Sequence, residues 1–264
     1  MTTHTSPSES LQVEQQGGIV TLRFNRPAAF NAIDVPMAHA FLQVVQSLSK
    51  DPDVRTVVMC GAGKAFIAGG DLQTLREDPV QGAKDLLVPL NQAIELLSEM
   101  NAPVIAKVHG AVAGGGLSLM MHADFVIAAE GTRFNLAYIN LGVNCDVGGS
   151  YMLPRLVGLR HALEIALLGD TFVAQDALRC GLINRVVSAD ALDATVDELA
   201  QRLAKGPTLA YGRMRRLMRS SFDRSLPEQL QAEATEFMAS GATSDMRRGI
   251  EAFFTKTPPQ FEGR

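Results

Sequence analysis

The chain has 264 residues, 47% apolar and 20% charged, which excludes a disordered, collagenous or coiled-coil protein. Its 24 basic and 28 acidic residues leave a net charge of −4, so no general attraction to nucleic acid or an anionic membrane is expected. Cys60, Cys145 and Cys180 are odd in number and widely spaced, a pattern of reduced thiols rather than disulfides or zinc ligands. The five histidines show no H-E-x-x-H or other paired spacing, so no metal site is expected.

The opening residues MTTHTSPSES are polar, without Lys or Arg, and are expected to form a flexible tail over residues 1–10. They offer neither the basic start and apolar run of a secretory signal nor the arginines of a transit peptide, so a cytoplasmic protein is expected. Gly18–Asn25 (GIVTLRFN) alternates apolar and polar residues as a half-buried strand does. Pro36–Ser49 predicts a helix whose inner face carries Met37, Phe41, Val44, Val45 and Leu48. Thr56–Cys60, Pro103–Val108 and Phe125–Ala129 read as buried strands, and Gly114–Gly115–Gly116 opens the helical run LSLMMHA between the last two. The most apolar stretch, Ala111 to Ala129, is interrupted by His122 and Asp124 and cannot span a membrane. A helix near Ala174–Cys180 ends at Gly181, before a strand over Ile183–Val187. From about Leu192 to Lys256 the pattern is helical, broken at Gly206-Pro207, Leu226-Pro227 and Gly241. An α/β core over residues 11–190 is thus followed by a helical region over residues 191–264.

Several familiar α/β signatures are missing. No G-x-G-x-x-G, no phosphate-binding G-x-x-x-x-G-K-[ST] and no G-x-S-x-G nucleophile elbow occurs. Three glycine-containing segments remain: KAFIAGGDL (64–72), GAVAGGGL (110–117) and LGVNCDVGGS (141–150). The triple glycine stands between a strand and a helix, where free N–H groups can hold negative charge. Glycines that let the strand and helix pack closely explain it equally well. In KAFIAGGDL, Asp71 also reads as the N-cap of a following helix.

Taken together, NRPAAFNA (25–32), KAFIAGGDL, PVIAKVHGAVAGGGLSLMMHAD (103–124), GGSYMLPRLVG (148–158), AQDALRCGLINRVV (174–187) and GIEAFFTK (249–256) resemble the enoyl-CoA hydratase/isomerase (crotonase) superfamily. The resemblance implies a spiral of β-β-α turns followed by a helical trimerisation region, with a homotrimer or a dimer of trimers as the assembly. It implies an acyl-CoA thioester as substrate, so that coenzyme A is part of the substrate and no separate cofactor is needed. The N–H groups of Gly70 and Gly115 would form an oxyanion hole for the thioester oxygen, each donor typically worth about 10²–10³ in rate. By the same resemblance, backbone from Ala68 through Asp71 to Leu72 lines the adenine pocket. Ala28 lies near the pantetheine and phosphates, and Lys256 reaches the phosphates, in some members those of a neighbouring subunit.

The acid/base positions decide the reaction. Family hydratases manage water with two glutamates, and this chain has Ser118 and Tyr138 there, both poor bases at neutral pH. Ser118 then reads as a helix-face residue and Tyr138 as a pocket wall or core aromatic. Asp146 aligns with an aspartate of members that move double bonds, and D-x-G-G-S-aromatic-x-x-P-R is similar to the 1,2-epoxyphenylacetyl-CoA isomerases. A single base near Tyr138 and Leu141, with its pKa raised by apolar surroundings, suffices for proton abstraction and return. Asp146 as a mere cap of the helix containing Tyr151–Leu156 is the competing reading. The 4-chlorobenzoyl-CoA dehalogenases also resemble this chain, but Asn91 replaces their catalytic histidine. An acyl-CoA isomerase is therefore expected, with a hydratase or a catalytically degenerate CoA-ester-binding protein as alternatives. Arg213, Arg215, Arg216 and Arg219 are expected on a solvated helix face, and His109 and His122 in structural roles.

Overall fold

A computed structural model describes His4, Ser6 and residues 8–264. Half of the expected tail over residues 1–10 lies outside the described residues. His4, within it, is buried, with its ring nitrogens 3.0 Å from Ser47 Oγ and 3.0 Å from Asp51 Oδ2.

Strands β1 (Leu11–Gln16) and β2 (Ile19–Phe24) form an antiparallel hairpin, turning at Gly17 with φ +59°. Helix α1 (Val35–Leu48) follows, its first turn capped by the Asp34 carboxylate on Met37 N. Then come β3 (Thr56–Gly61), β4 (Ala65–Ile67) and α2 (Pro79–Glu99), followed by β5 (Val104–Val108), β6 (Ala111–Ala113) and α3 (Gly115–Met120). The third such unit is β7 (Phe125–Ala129), β8 (Arg133–Asn135) and α4 (Gly149–Leu168). After it run β9 (Phe172–Val173), α5 (Ala174–Arg179) and β10 (Arg185–Val187). The chain closes with α6 (Leu192–Ala204), α7 (Thr208–Ser220), α8 (Leu226–Gly241) and α9 (Ser244–Thr255).

Each unit gives one strand to each of two sheets. The larger sheet has the order β1-β2-β3-β5-β7-β10, parallel from β2 onward, and the smaller one β4-β6-β8-β9. This is the expected spiral of β-β-α turns. Alternation along the central strands sorts the core into two layers. Val57, Met59, Val104, Ala106, Val126 and Ala128 point toward α1 and α2, burying the predicted Met37, Phe41, Val44, Val45 and Leu48. Val58, Ile105, Ile127 and Ala129 point the other way, onto Leu192, Val196, Leu199 and Leu203 of α6. Helix α6 is therefore a cover of the sheet, and the helices beyond it are α7, α8 and α9.

The arginine-rich helix α7 corrects one expectation, because its basic face is not solvated. Arg215 is buried, ion-paired with Asp124 at 2.7 Å and donating to the carbonyls of Leu97 and Met100 at the end of α2. Arg219 joins the same carboxylate at 2.9 Å, and Arg216 donates to Glu99 O. These guanidinium groups satisfy carbonyls that the end of α2 leaves open, and so fasten α7 to the core. Among the described residues, no helix is long and apolar enough to cross a membrane.

Candidate active site

The ends of three neighbouring parallel strands build the site. Strands β4, β6 and β8 lie side by side, and Gly70, Gly115 and Tyr138 follow their C-terminal ends by three, two and three residues.

The first end is braced by the NRPAAFNA segment. Asn31, buried at φ +59°, donates its side-chain amide to Ala62 O and Ala65 O and accepts Arg26 N. Residues 68–71 run beside residues 30–33, through Ala68 N to Phe30 O, Ile33 N to Gly69 O and Asp71 N to Ile33 O. Arg26 ties Asp71 at 2.9 Å and Asp34 at 3.1 Å. Asp71 does not cap a helix. Its carboxylate takes Gln73 N within a turn, and the next helix, α2, is capped by Asp78. Arg26 and Asn31 stand in the NRPAAFNA motif, but their partners lie up to 45 residues away, so the sequence alone does not mark them as positioning residues.

At the second end the three glycines do different work. Gly114 sits at φ +48° and ψ −127°, a conformation open only to glycine. A Cβ on Gly116 would come within 2.3 Å of Ile67 O, so close packing against β4 requires glycine there. Gly115 is buried, with room beside it for no more than ordinary contact. A Cβ on it would stand 3.7 Å from Asp146 Oδ1, 3.7 Å from Tyr138 Oη and 3.9 Å from the Gly70 nitrogen. Among the described residues, the N–H groups of Gly70 and Gly115 donate to no hydrogen-bond acceptor. Close packing thus accounts for Gly116, while Gly115 keeps the free N–H that the other reading of the glycine run requires. Helix α3 has only six residues, so two free donors rather than a long dipole define the spot.

The third end brings Asp146 to that spot. Tyr138 is buried in a 3₁₀ turn and donates its hydroxyl to Asp146 Oδ1. Ser118, fully buried on α3, stands 3.1 Å from the same phenol oxygen. With the single phenol proton on Asp146, Ser118 is the donor to Tyr138, giving a line of hydroxyls that ends on the carboxylate. Burial, reinforced by the Asp146 charge, pushes the Tyr138 pKa up and keeps it a phenol at neutral pH. Burial also raises the Asp146 pKa, against the opposing pull of the Tyr138 bond. Asp146 Oδ2 accepts no hydrogen bond from another described side chain and is free to take a proton. The cap reading fails, since α4 starts at Gly149 with no side-chain cap and Asp146 contributes only its carbonyl, to Gly149 N.

The remaining site candidates scatter more widely. Ala28 is exposed in the 3₁₀ turn Pro27–Ala29, Ala68 is half-buried, and Leu72 is exposed. Lys256 is exposed at the end of α9, joined by no hydrogen bond or ion pair to the other candidates among the described residues. Leu141 is exposed with Ile139 and Val143, so it does not wall Asp146 in within this chain. Asn91 lies exposed on α2. A cleft of about 1120 Å³ between α4, α7 and α8 is lined by Tyr151, Arg155 and Phe222 and none of the predicted site residues.

His122 is buried behind the site, its Nε2–H donating to Val147 O at 3.0 Å. Burial pushes its pKa down to about 4 from 6.5, with Arg219 adding to the effect and the Val147 carbonyl opposing it. Between those two values the unfolded chain binds the proton more readily, so stability rises with pH. Acidification from about pH 6.5 to 4 should thus cost about 3 kcal/mol through this one group. In urea titrations at several pH values, the difference between the parent protein and His122→Gln should shrink with acidification across that window. A pH-independent difference would mean that His122 titrates alike in both states.

The comparisons agree with this geometry. A family model described as enoyl-CoA hydratase/isomerase matches residues 14–264. The 1,2-epoxyphenylacetyl-CoA isomerase of Escherichia coli K12 is 34% identical over 94% of this chain and 96% of its own. The 2,3-dehydroadipyl-CoA hydratase of the same organism is 33% identical over 96% of this chain and 99% of its own. A crystal structure of an enoyl-CoA hydratase from Mycobacterium smegmatis superposes with a TM-score of 0.90 at 30% identity, covering 96% of this chain and 99% of that one. With its β-β-α spiral and the turn ends that carry Gly70, Gly115 and Asp146, the chain belongs to the enoyl-CoA hydratase/isomerase family.

Proposed function

We propose that this family member is an acyl-CoA isomerase that moves a double bond, or opens a ring, by proton abstraction and return. The observation that carries this reading is one carboxylate, raised in pKa and held by a phenol, beside two free N–H groups. Asp146 Oδ2 takes a proton from the carbon next to the thioester carbonyl. The electron pair moves onto the thioester oxygen, where Gly70 and Gly115 donate to the developing charge. Asp146 then returns the proton two carbons further along, and the double bond shifts. Nothing is consumed. Tyr138 holds the carboxylate and Ser118 holds Tyr138, and neither hydroxyl ionises to a water-activating base at neutral pH. Coenzyme A enters as part of the substrate, with Ala28, Ala68, Asp71 and Leu72 along its path and Lys256 at its phosphates. The 34% identity to a relative named as a 1,2-epoxyphenylacetyl-CoA isomerase favours this reaction class. Exposed Phe237, Phe253 and Phe254 on α8 and α9 support self-association; the homotrimer or dimer of trimers is proposed from the family resemblance, and the cytoplasmic location from the opening sequence.

The test is a panel of acyl-CoA esters in deuterated buffer, with products identified by mass. The expected result is deuterium exchange with bond migration or ring opening on at least one ester, and only slow hydration of crotonyl-CoA. Hydration at the rate of a dedicated hydratase would show that another acid replaces the missing glutamates and would sink the isomerase reading. Tight ester binding without exchange would leave a binding protein.

A further inference from the structure

Val147 is a buried β-branched residue at φ +51°, a region such side chains avoid. It is followed by Gly148 at φ +73°, and the two left-handed residues turn the chain from Asp146 into α4. Something outside the turn must hold Val147 there. The His122 ring does so from behind: Nε2–H donates to the Val147 carbonyl at 3.0 Å, and a Cβ on Gly148 would lie 2.5 Å from that nitrogen. His122 is itself anchored after α3, its N–H on Leu119 O and its carbonyl taken by Arg219 at 2.8 Å. The Asp146 side chain springs from the residue directly before this clamp.

We propose that His122 is a positioning residue for Asp146: its ring holds the Val147 carbonyl, keeps Val147 left-handed, and so aims the carboxylate at Tyr138 and Gly115. The kinetic consequence rests on the reading of Asp146 as the base, whereas the geometric one does not. Glutamine places an amide N–H close to where the imidazole Nε2–H lies, and leucine fills similar space with no donor.

The experiment compares His122→Leu, His122→Gln and His122→Leu combined with Val147→Gly. The leucine variant should lose about tenfold or more in kcat, with KM changed less than about threefold, since a misaimed group costs the chemical step. Glutamine should recover most of that loss, and so should Val147→Gly, because glycine takes a positive φ unaided. The chain has three tyrosines and no tryptophan, so the Tyr138–Asp146 bond is readable in the near-ultraviolet tyrosine bands. The spectrum of His122→Leu should move toward that of Asp146→Ala, and that of His122→Gln should not. A leucine variant with the parent's spectrum and kcat overturns the proposal, as does a glutamine variant that loses as much as leucine. If the leucine variant does not fold, His122→Asn, whose amide is too short to reach Val147, takes its place. If the parent turns over no ester, the functional reading fails, and the tyrosine spectra still decide the role of His122.

Discussion

Asp146→Asn is expected to lower isomerisation and deuterium exchange by about 10² or more while the protein folds and binds CoA esters as before. The amide is nearly isosteric and still accepts the Tyr138 hydroxyl through its oxygen, but it cannot take a proton. Stability should not fall. Because burial raises the Asp146 pKa in the folded state, the folded chain binds that proton more readily than the unfolded one. Its contribution to stability is therefore largest below the ordinary carboxylate pKa and lost as pH rises through the raised value. At neutral pH an uncharged amide avoids that loss, so the melting temperature of Asp146→Asn should equal or exceed the parent's. Asp146→Ala should be as inactive, without unravelling α4, whose start does not depend on this side chain. Full turnover in the asparagine variant, measured by exchange, would remove Asp146 from the mechanism.

Gly115→Pro is expected to cost about 10²–10³ in rate, the usual loss for one missing oxyanion donor. The position makes the test clean. Gly115 is the first residue of α3, where proline's fixed φ is tolerated and its missing N–H breaks no helix bond. A Cβ there meets nothing nearer than 3.7 Å, so the ring's first carbon enters ordinary contact. Circular dichroism should match the parent, with the loss concentrated in kcat. A folded proline variant of normal activity would mean that the thioester oxygen binds elsewhere.

Much of the larger sheet was legible because parallel strands buried on both faces read as unbroken apolar runs, as Thr56–Cys60 and Phe125–Ala129 do. Helix α1 announced itself through the spacing of Met37, Phe41, Val44, Val45 and Leu48. Helix α2 did not, although Asp78-Pro79 is a sound start signal, because Gly82 and the buried Pro89 interrupt its interior. Strands β4, β6 and β8 have three residues each, too few for any period to show. Within the site, the glycines and Asp146 could be nominated by motif. The line from Ser118 through Tyr138 to Asp146 joins residues 20 and 8 apart, and only the fold brings them together. The arginines of α7 misled for a related reason: their partner, Asp124, lies about 90 residues upstream in sequence.

The adjacency of β4, β6 and β8 bears on how such a chain can diverge. Parallel neighbours lie about 4.8 Å apart wherever backbone hydrogen bonds hold them, whatever side chains they carry. Gly70 and Gly115 leave two such neighbours, so the gap between the two donors is inherited from the ladder itself. Drift in side chains leaves that gap untouched. Asp146, the proposed base, hangs on the loop beyond β8, where a substitution disturbs no ladder bond. Under the proposed mechanism, one half of the apparatus is thus shielded from mutation and the other half is open to it. A lineage can keep its grip on thioester oxygens while trading one reaction for another at a single loop.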